Sequence, residues 1–554
     1  MKNKYPLNTS VKWITGALII FSAGFYSFQD SYFEISKNLD IFVSVYKNVN
    51  TYYVDDTEPG DLMKTGIDAM LKKLDPYTVY YPESDIEDYR FMTTGQYGGI
   101  GALISRKNGF VFISEPYENF PADKAGLRAG DKILMVDGKS AEGKSTSEIS
   151  SFLKGEPNTQ LVLTIERYGE KETREVTVNR EEIKIKDVPY YGITQPGTGY
   201  IKLNGFTETA SAEVKSALLD LKEKHNIESL VLDLRGNGGG LLREAVSIVG
   251  LFVPVGTKVV ETKGKIAEWN HSYFTSAAPI DTTIKLVVLV NGSSASASEI
   301  VSGTIQDLDR GVIIGTNSFG KGLVQQTRDL KYNSKMKLTV AKYYIPSGRC
   351  IQRLDYSHKD EDGHALEVPD SLRKEFTTKN GRVVLDGAGI EPELKVIGPK
   401  ASPILISLIQ KQLIFDYATV YRANHDSIAP AKDFILSDKD YEEFKEYLKD
   451  KDYDYSTETE RLLKKLEKAA EKEKYADKIQ QDLEDLENSI FMNKTKDLDL
   501  FKDQISRFLS GEIVTRYYYQ TGRIEQAMNL DEDMLEAKRV LANNKEYYSI
   551  LQGK

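Results

Sequence analysis

The chain has 554 residues, 40% of them hydrophobic and 28% charged. That is too long for one core and too apolar for global disorder, and about 150 residues per domain gives roughly three or four domains. The formal net charge of −10 argues against a general nucleic-acid binder, which needs a basic face to displace counterions. A single cysteine, Cys350, excludes an intramolecular disulfide framework and Cys-cluster metal sites. No two of the five histidines lie one helical turn apart, so a metal enzyme is not expected.

Lys2, Lys4 and Lys12 precede an uncharged stretch from Trp13 to Phe28, the pattern of an export signal. The stretch falls between a signal h-region and the roughly 20 residues that span a bilayer, so removal and retention as a membrane anchor both stay open. From Tyr32 to about Arg90, Ile35, Leu39, Phe42, Tyr46 and Val49, then Met63, Ile67, Met70 and Leu74, recur at steps of four and three and predict helices. Leu74-Asp75-Pro76 breaks the pattern.

Short β-type segments follow Gly95: 102–105, 111–114, 132–136, 161–166 and 174–178. A short helix at 122–127 is closed by glycine. Residues 197 to 398 alternate apolar runs (230–234, 286–290, 312–315) with a helix marked by Val214, Ala217, Leu218 and Leu221, which predicts an α/β layer. Beyond Val396 the chain is rich in Lys and Glu. Leu462, Leu466 and Ala469, then Ile479, Leu483, Leu486 and Ile490, form a helical stripe that reads as intramolecular core or as a homodimer contact. The expected domains are a leader at 1–28, a helical region at 29–95, a β domain at 96–182, an α/β core at 183–398 and a helical region at 399–554.

Three segments carry chemistry. In Asn291–Gly303, Ser296 stands at a strand-to-helix junction, where the following N–H groups lie at the positive helix end and suit an oxyanion. In Ser318–Gln325, Lys321 has glycines on both sides. With Phe319, Leu323 and Val324 desolvating it, a neutral amine would be favoured, able to take the proton of a serine hydroxyl. Gln325, four positions on, would share a strand face with Lys321 and orient its amine. Leu232–Leu242 places three successive glycines after a buried strand, where unobstructed N–H groups suit an oxyanion hole. The glycine spacing matches neither a phosphate loop nor a dinucleotide fingerprint.

Gly98-Gly99-Ile100-Gly101, Ala125-Gly126-Leu127, Gly130-Asp131 and Asp137-Gly138 resemble a PDZ domain over the whole of residues 97 to 180. Such a module adds an extended peptide to a sheet edge and turns glycine-loop N–H groups toward the peptide's carboxylate. Gly99, Ile100 and Gly101 would form that loop, with Ile100 lining the apolar pocket.

With Tyr53-Val54-Asp55, Leu74–Thr78 and Tyr343–Arg349 added, the chain from about Phe42 to Val396 resembles the carboxyl-terminal processing peptidases, the tail-specific serine proteases. The resemblance implies an α/β core of crotonase and Clp-protease type with an inserted PDZ-like domain and helical regions on either side. It implies Ser296 as nucleophile, Lys321 as general base and Gln325 as the residue orienting the lysine. Backbone N–H groups of Gly239 and Ala297 would form the oxyanion hole. Which of residues 238 to 240 donates stays open, since Gly238 stands where the family often has proline. No cofactor and no nucleic acid is implied. The partners would be proteins with free C-terminal tails, met in the periplasm or at the outer face of the inner membrane. Lys154 is basic where some relatives use an arginine to couple the module to the active site. A non-catalytic PDZ scaffold and an acyl-CoA enzyme of crotonase type are the rival readings. The Ser296–Lys321 pair counts against the first, and the PDZ-like insertion against the second.

Overall fold

The computed structural model describes residues 32–494 and 496–554, so the leader expected at 1–28 lies outside the described residues. Among the described residues no helix is long and apolar enough to cross a membrane.

The α/β layer is a six-stranded sheet in the order Tyr190–Gln195, Thr198–Lys202, Ser229–Asp233, Lys285–Val290, Val312–Gly315, Leu394–Lys395. The first pair is antiparallel and the remaining pairs are parallel. Leu230, Leu232, Leu286 and Val288 pack with residues of the helices Ala210–His225, Leu242–Gly250 and Ala297–Asp307. Val231, Val287, Leu289, Val312 and Ile314 face the other way, onto Met534, Val540, Leu541 and Tyr547. Strands covered on both faces read as unbroken apolar runs rather than as alternation, the pattern seen at 230–234 and 286–290. The chain's last helices, Glu532–Ala542 and Asn544–Leu551, therefore complete this layer, whereas the sequence reading grouped them with the C-terminal helical region.

The inserted β domain has the strand order Ala102–Lys107, Phe110–Pro116, Lys132–Val136, Gln160–Glu166, Arg174–Asn179. The helix Thr146–Leu153 begins with a Ser145–Glu148 capping box. Inside, Asp131 and Arg167 form a buried two-point ion pair, with both bonds at 2.7 Å. The insertion leaves and re-enters the chain through a ribbon, Gln96–Gly99 against Glu181–Lys184.

Helices from Pro403 through residue 514 hold a separate core around Ile404, Tyr417, Tyr441, Phe444 and Leu509. In the helix Glu458–Glu473, Leu463 and Ala470 are buried while Leu462 and Leu466 are exposed. The stripe read from the sequence is thus displaced by one residue, and those two leucines are not part of an intramolecular core.

A second compact unit consists of the N-terminal residues through Glu83 with residues 327–338. Its described part holds a helix at 32–52, the helix Pro59–Lys72 and the strand Val79–Tyr81, which pairs with residues 335–337. Asp75 closes the predicted break by accepting the N–H groups of Tyr77 and Thr78, both at 2.8 Å.

Candidate active site and peptide-binding edge

The loops that follow three adjacent parallel strands, at 234–241, 291–296 and 316–321, meet at the carboxyl end of the sheet. This is the usual crevice of such sheets. After Val290 the chain turns under two restraints: Ser294 Oγ donates to the Leu234 carbonyl at 2.9 Å, and Asn291 Oδ1 accepts the Gly236 N–H at 3.0 Å. Ser296 then adopts φ 58°, ψ −112° as the residue before the helix Ala297–Asp307. A side-chain-bearing residue held there stores about 1–3 kcal/mol of strain, as at the sharp strand-to-helix turns that expose nucleophilic serines. The Ser296 carbonyl accepts from the Glu299 and Ile300 N–H groups inside the helix, at 2.8 and 2.9 Å. A trans peptide points the next N–H the opposite way, so the Ala297 N–H faces out of the helix end.

Glu299 is fully buried and its carboxylate is saturated. Oε1 accepts Ser318 Oγ at 2.6 Å and the Gly320 N–H at 2.7 Å, and Oε2 accepts the N–H groups of Ser296 at 2.8 Å and Lys321 at 2.9 Å. Burial pushes its pKa up, opposed by these four hydrogen bonds. The Tyr343 hydroxyl lies 3.1 Å from the Ser296 carbonyl and 2.7 Å from that of Lys321. One carboxylate and one phenol thus hold the backbones of residues 296 and 321 together, although 25 positions separate them.

Gly239 is packed against the turn at Ser296. A Cβ there would come within 2.7 Å of the Ala295 carbonyl, 2.8 Å of Ser296 Cβ and 2.9 Å of the Ala297 nitrogen, at φ +98°. Its N–H donates to Asn237 Oδ1 at 2.9 Å. Asn237 is buried. Its Nδ2 donates to the Leu203 carbonyl at 2.9 Å, and its own carbonyl accepts the Ala295 N–H at 3.0 Å and Ser298 Oγ at 2.9 Å. Arg235, next to this loop, bonds Asp233 at 2.7 Å, Asp531 at 2.9 Å and Asp533 at 2.7 Å. Burial works against the charge of Asp233, but Arg235 and Lys202 overcome it and lower its pKa to about 2.

Two expectations change. Lys321 lies ahead of the strand Leu323–Asp329, so alternation along that strand does not reach back to it. Gln325 is instead held from the neighbouring strand, its Nε2 donating to Thr339 Oγ1 at 3.2 Å. Lys321 is half-buried rather than enclosed, and the Phe319 ring lies 5.7 Å from the Arg353 guanidinium.

In the inserted domain the strand Ala102–Lys107 stands at the end of the sheet order and, among the described residues, pairs with Phe110–Pro116 alone. The helix Thr146–Leu153 lies beside it. The Ile100 and Gly101 carbonyls accept N–H groups from Ala122 at 2.7 Å and Tyr117 at 2.9 Å. By the same trans-peptide geometry the N–H groups of Gly101 and Ala102 turn outward at the head of this edge. Gly99 ends the preceding strand. Ile100 is buried in the domain core with Val111, Ile113, Ile149 and Leu153. The Lys154 ammonium lies 6.0 Å from the Tyr97 ring centre, inside the module.

Residues 197–357 match the family model "Peptidase family S41", residues 112–167 a PDZ domain model, and residues 404–541 the model "Probable PDZ-protease, C-terminal helical domain". The chain is 36% identical over 327 residues to the carboxy-terminal-processing protease of Bartonella bacilliformis, covering 58% of this chain and 74% of that protein. The chain belongs to peptidase family S41. It is a serine-type endopeptidase of the carboxyl-terminal processing group. A probable CtpA-like serine protease of Staphylococcus aureus is also 36% identical, over 57% of this chain and 62% of that one. Among solved structures, the photosystem II D1 C-terminal processing protease is similar at 28% identity with a TM-score of 0.34, over 64% of this chain and 92% of that one.

In this S41 peptidase, sequence reasoning did not find the parts played by Glu299, Tyr343, Asn237 and Thr339. Glu299 carried a signal. It stands three residues after a serine N-cap, the spacing at which an acidic side chain reaches back to a helix start. Asn237 carried a local signal too, since its side chain accepts the N–H two residues on, whereas Tyr343 and Thr339 act across chain distances that no local pattern encodes.

Proposed function

We propose that this peptidase is exported, takes the free C-terminal tail of a protein substrate onto the edge strand Ala102–Lys107, and cleaves the chain through an acyl-enzyme. The basic, then uncharged start of the sequence supports export, and the unpaired edge headed by outward N–H groups supports tail binding by β-augmentation. Ser296 Oγ attacks the scissile carbonyl while the neutral amine of Lys321 takes its proton. The resulting ammonium returns the proton to the leaving amine, and water then repeats the cycle on the ester. Gln325, its Nε2 held by Thr339, presents its carbonyl oxygen to orient the lysine. The Ala297 and Gly239 N–H groups receive the oxyanion. Because Asn237 Oδ1 already holds the Gly239 N–H, the substrate oxygen competes for it, and the hole is completed as the loop yields that bond. The observation that carries this reading is the strained Ser296 tied to the backbone of Lys321 through Glu299 and Tyr343. A core related to the crotonase and Clp-protease folds accords with the parallel strands and crossover helices.

The test is turnover of a quenched-fluorescent peptide with a free apolar C-terminus, beside its amidated twin. Ser296→Ala and Lys321→Ala should each abolish cleavage while leaving peptide binding intact, and the twin should bind poorly. Turnover surviving both substitutions defeats the mechanism. Equal affinity for the twin defeats the tail reading.

A further inference from the structure

The edge strand Ala102–Lys107 is not open along its whole length. The Gly101 carbonyl accepts the Tyr117 N–H at 2.9 Å and so faces the neighbouring strand. Successive residues of a strand turn their N–H and C=O groups to opposite sides, which leaves those of Ala102, Ile104 and Arg106 facing outward. The irregularity in this pair lies in the partner strand, where Leu103 stands opposite Glu115 and Ile104 opposite Ile113. The alternation along 102–107 is therefore intact.

The far end of this edge meets the C-terminal helical region. Gln412 precedes the helix Leu413–Asn424 at φ 56°, ψ 26°, a left-handed conformation uncommon for a residue with a side chain. Its Nε2 donates to the Arg106 carbonyl at 3.4 Å. Asp416, four positions on and so on the same helix face, pairs with the ammonium of Lys107, the next residue of the strand. The same helix passes Gly130 so closely that a Cβ there would lie 2.4 Å from Thr419 Cγ2, at φ +96°. The helix start is thus held against the module, and the outward carbonyl of Arg106 already has a donor from the protein itself.

A tail whose carboxylate sits at the Gly101 and Ala102 N–H groups runs antiparallel to this strand. Its last residue then donates to the Ala102 carbonyl, its third from last pairs with Ile104, and its fifth from last would pair with Arg106. We propose that Gln412 limits the tail read by the edge strand to its last four residues, as a specificity-determining residue of this peptidase. The proposal rests on the tail reading made above. A fifth residue that donates to Arg106 must displace the Gln412 amide, so it exchanges one hydrogen bond for another and gains no affinity. Beyond that point the substrate chain turns away from the sheet.

The test is a length series. Acetylated peptides of three to eight residues share a free apolar C-terminus and are extended upstream with alanine. Their affinities are measured by calorimetry on the full chain carrying Ser296→Ala, with and without Gln412→Gly. Glycine removes the amide and suits the positive φ. The acetyl carbonyl of the four-residue peptide already offers Arg106 an acceptor, so the fifth residue adds only a donor. With Gln412 in place, affinity should rise up to four residues and then stay within two-fold. Gln412→Gly should leave the four-residue peptide unchanged, which also reports an intact module. It should tighten the five-residue peptide by about three- to ten-fold, the size of one net hydrogen bond. N-methylation of the fifth residue should cancel that gain. A rise at the fifth residue with Gln412 present, an unchanged series in Gln412→Gly, a weakened four-residue peptide, or a gain that survives N-methylation would each overturn the proposal. Four-residue peptides that bind equally well as acid and as amide would instead remove the tail reading beneath it.

Discussion

Glu299→Gln separates the charge of the buried carboxylate from its shape. Glutamine has a single acceptor oxygen. If that oxygen faces the Ser296 and Lys321 N–H groups, the new NH2 meets the Gly320 N–H donor to donor, at a site where the carboxylate now accepts at 2.7 Å. Ser318 is a hydroxyl and can turn to accept. One orphaned buried N–H costs about 1–3 kcal/mol. The two retained bonds lose their charge assistance, which roughly doubles such bonds, while relief from burying a charge offsets part of the loss. The net expectation is destabilisation by about 2–3 kcal/mol, read as a lowered urea midpoint with unchanged slope. Since the same bonds hold the backbones of Ser296 and Lys321, kcat should fall about ten- to hundred-fold at constant KM, each factor of ten corresponding to about 1.4 kcal/mol. A variant within about 0.5 kcal/mol of wild type in stability and two-fold in kcat would refute the claim that this carboxylate assembles the pair.

Tyr343→Phe removes the hydroxyl shared by the Ser296 and Lys321 carbonyls and should lower kcat about ten-fold with a stability loss of about 1 kcal/mol, checked by the same two assays. Gly239→Ala drives a methyl into Ser296 and should abolish turnover. Gly238→Ala meets nothing within 4 Å and should raise the melting temperature slightly by restricting the unfolded chain. Asp233 has a folded pKa of about 2, below its unfolded value of about 3.9. Over that window the unfolded state binds more protons, so this group's contribution, about 2–3 kcal/mol, is present above pH 4 and lost as pH falls toward 2. Denaturant titrations across that range should be flatter for Asp233→Asn than for wild type.

Much of the fold was legible because its signals are local. Glycine turns, apolar runs bounded by polar residues and the proline at 76 each act within a few residues of themselves. The Ser296 and Lys321 strings were legible for the same reason. That the final helices cover the sheet was not legible, because the burial of Met534, Val540 and Tyr547 depends on strands more than 200 residues earlier, and their own periodicity does not say which surface they cover. Leu462 and Leu466 illustrate the converse. In a helix rich in lysine and glutamate, Leu463 fits the inward stripe as well as its neighbour does, and only tertiary packing decides between them. The link from Gln325 to Thr339 depends on strand pairing, which alternation within one strand cannot reveal.

The ties from Arg235 to Asp531 and Asp533 have a consequence for synthesis. A ribosome that has reached residue 500 has already made Ser296, Lys321 and the glycines at 238–240, yet the arginine beside those glycines still lacks two of its three carboxylates. Until then the glycine loop stands beside an arginine whose partners Asp531 and Asp533 are still to be made.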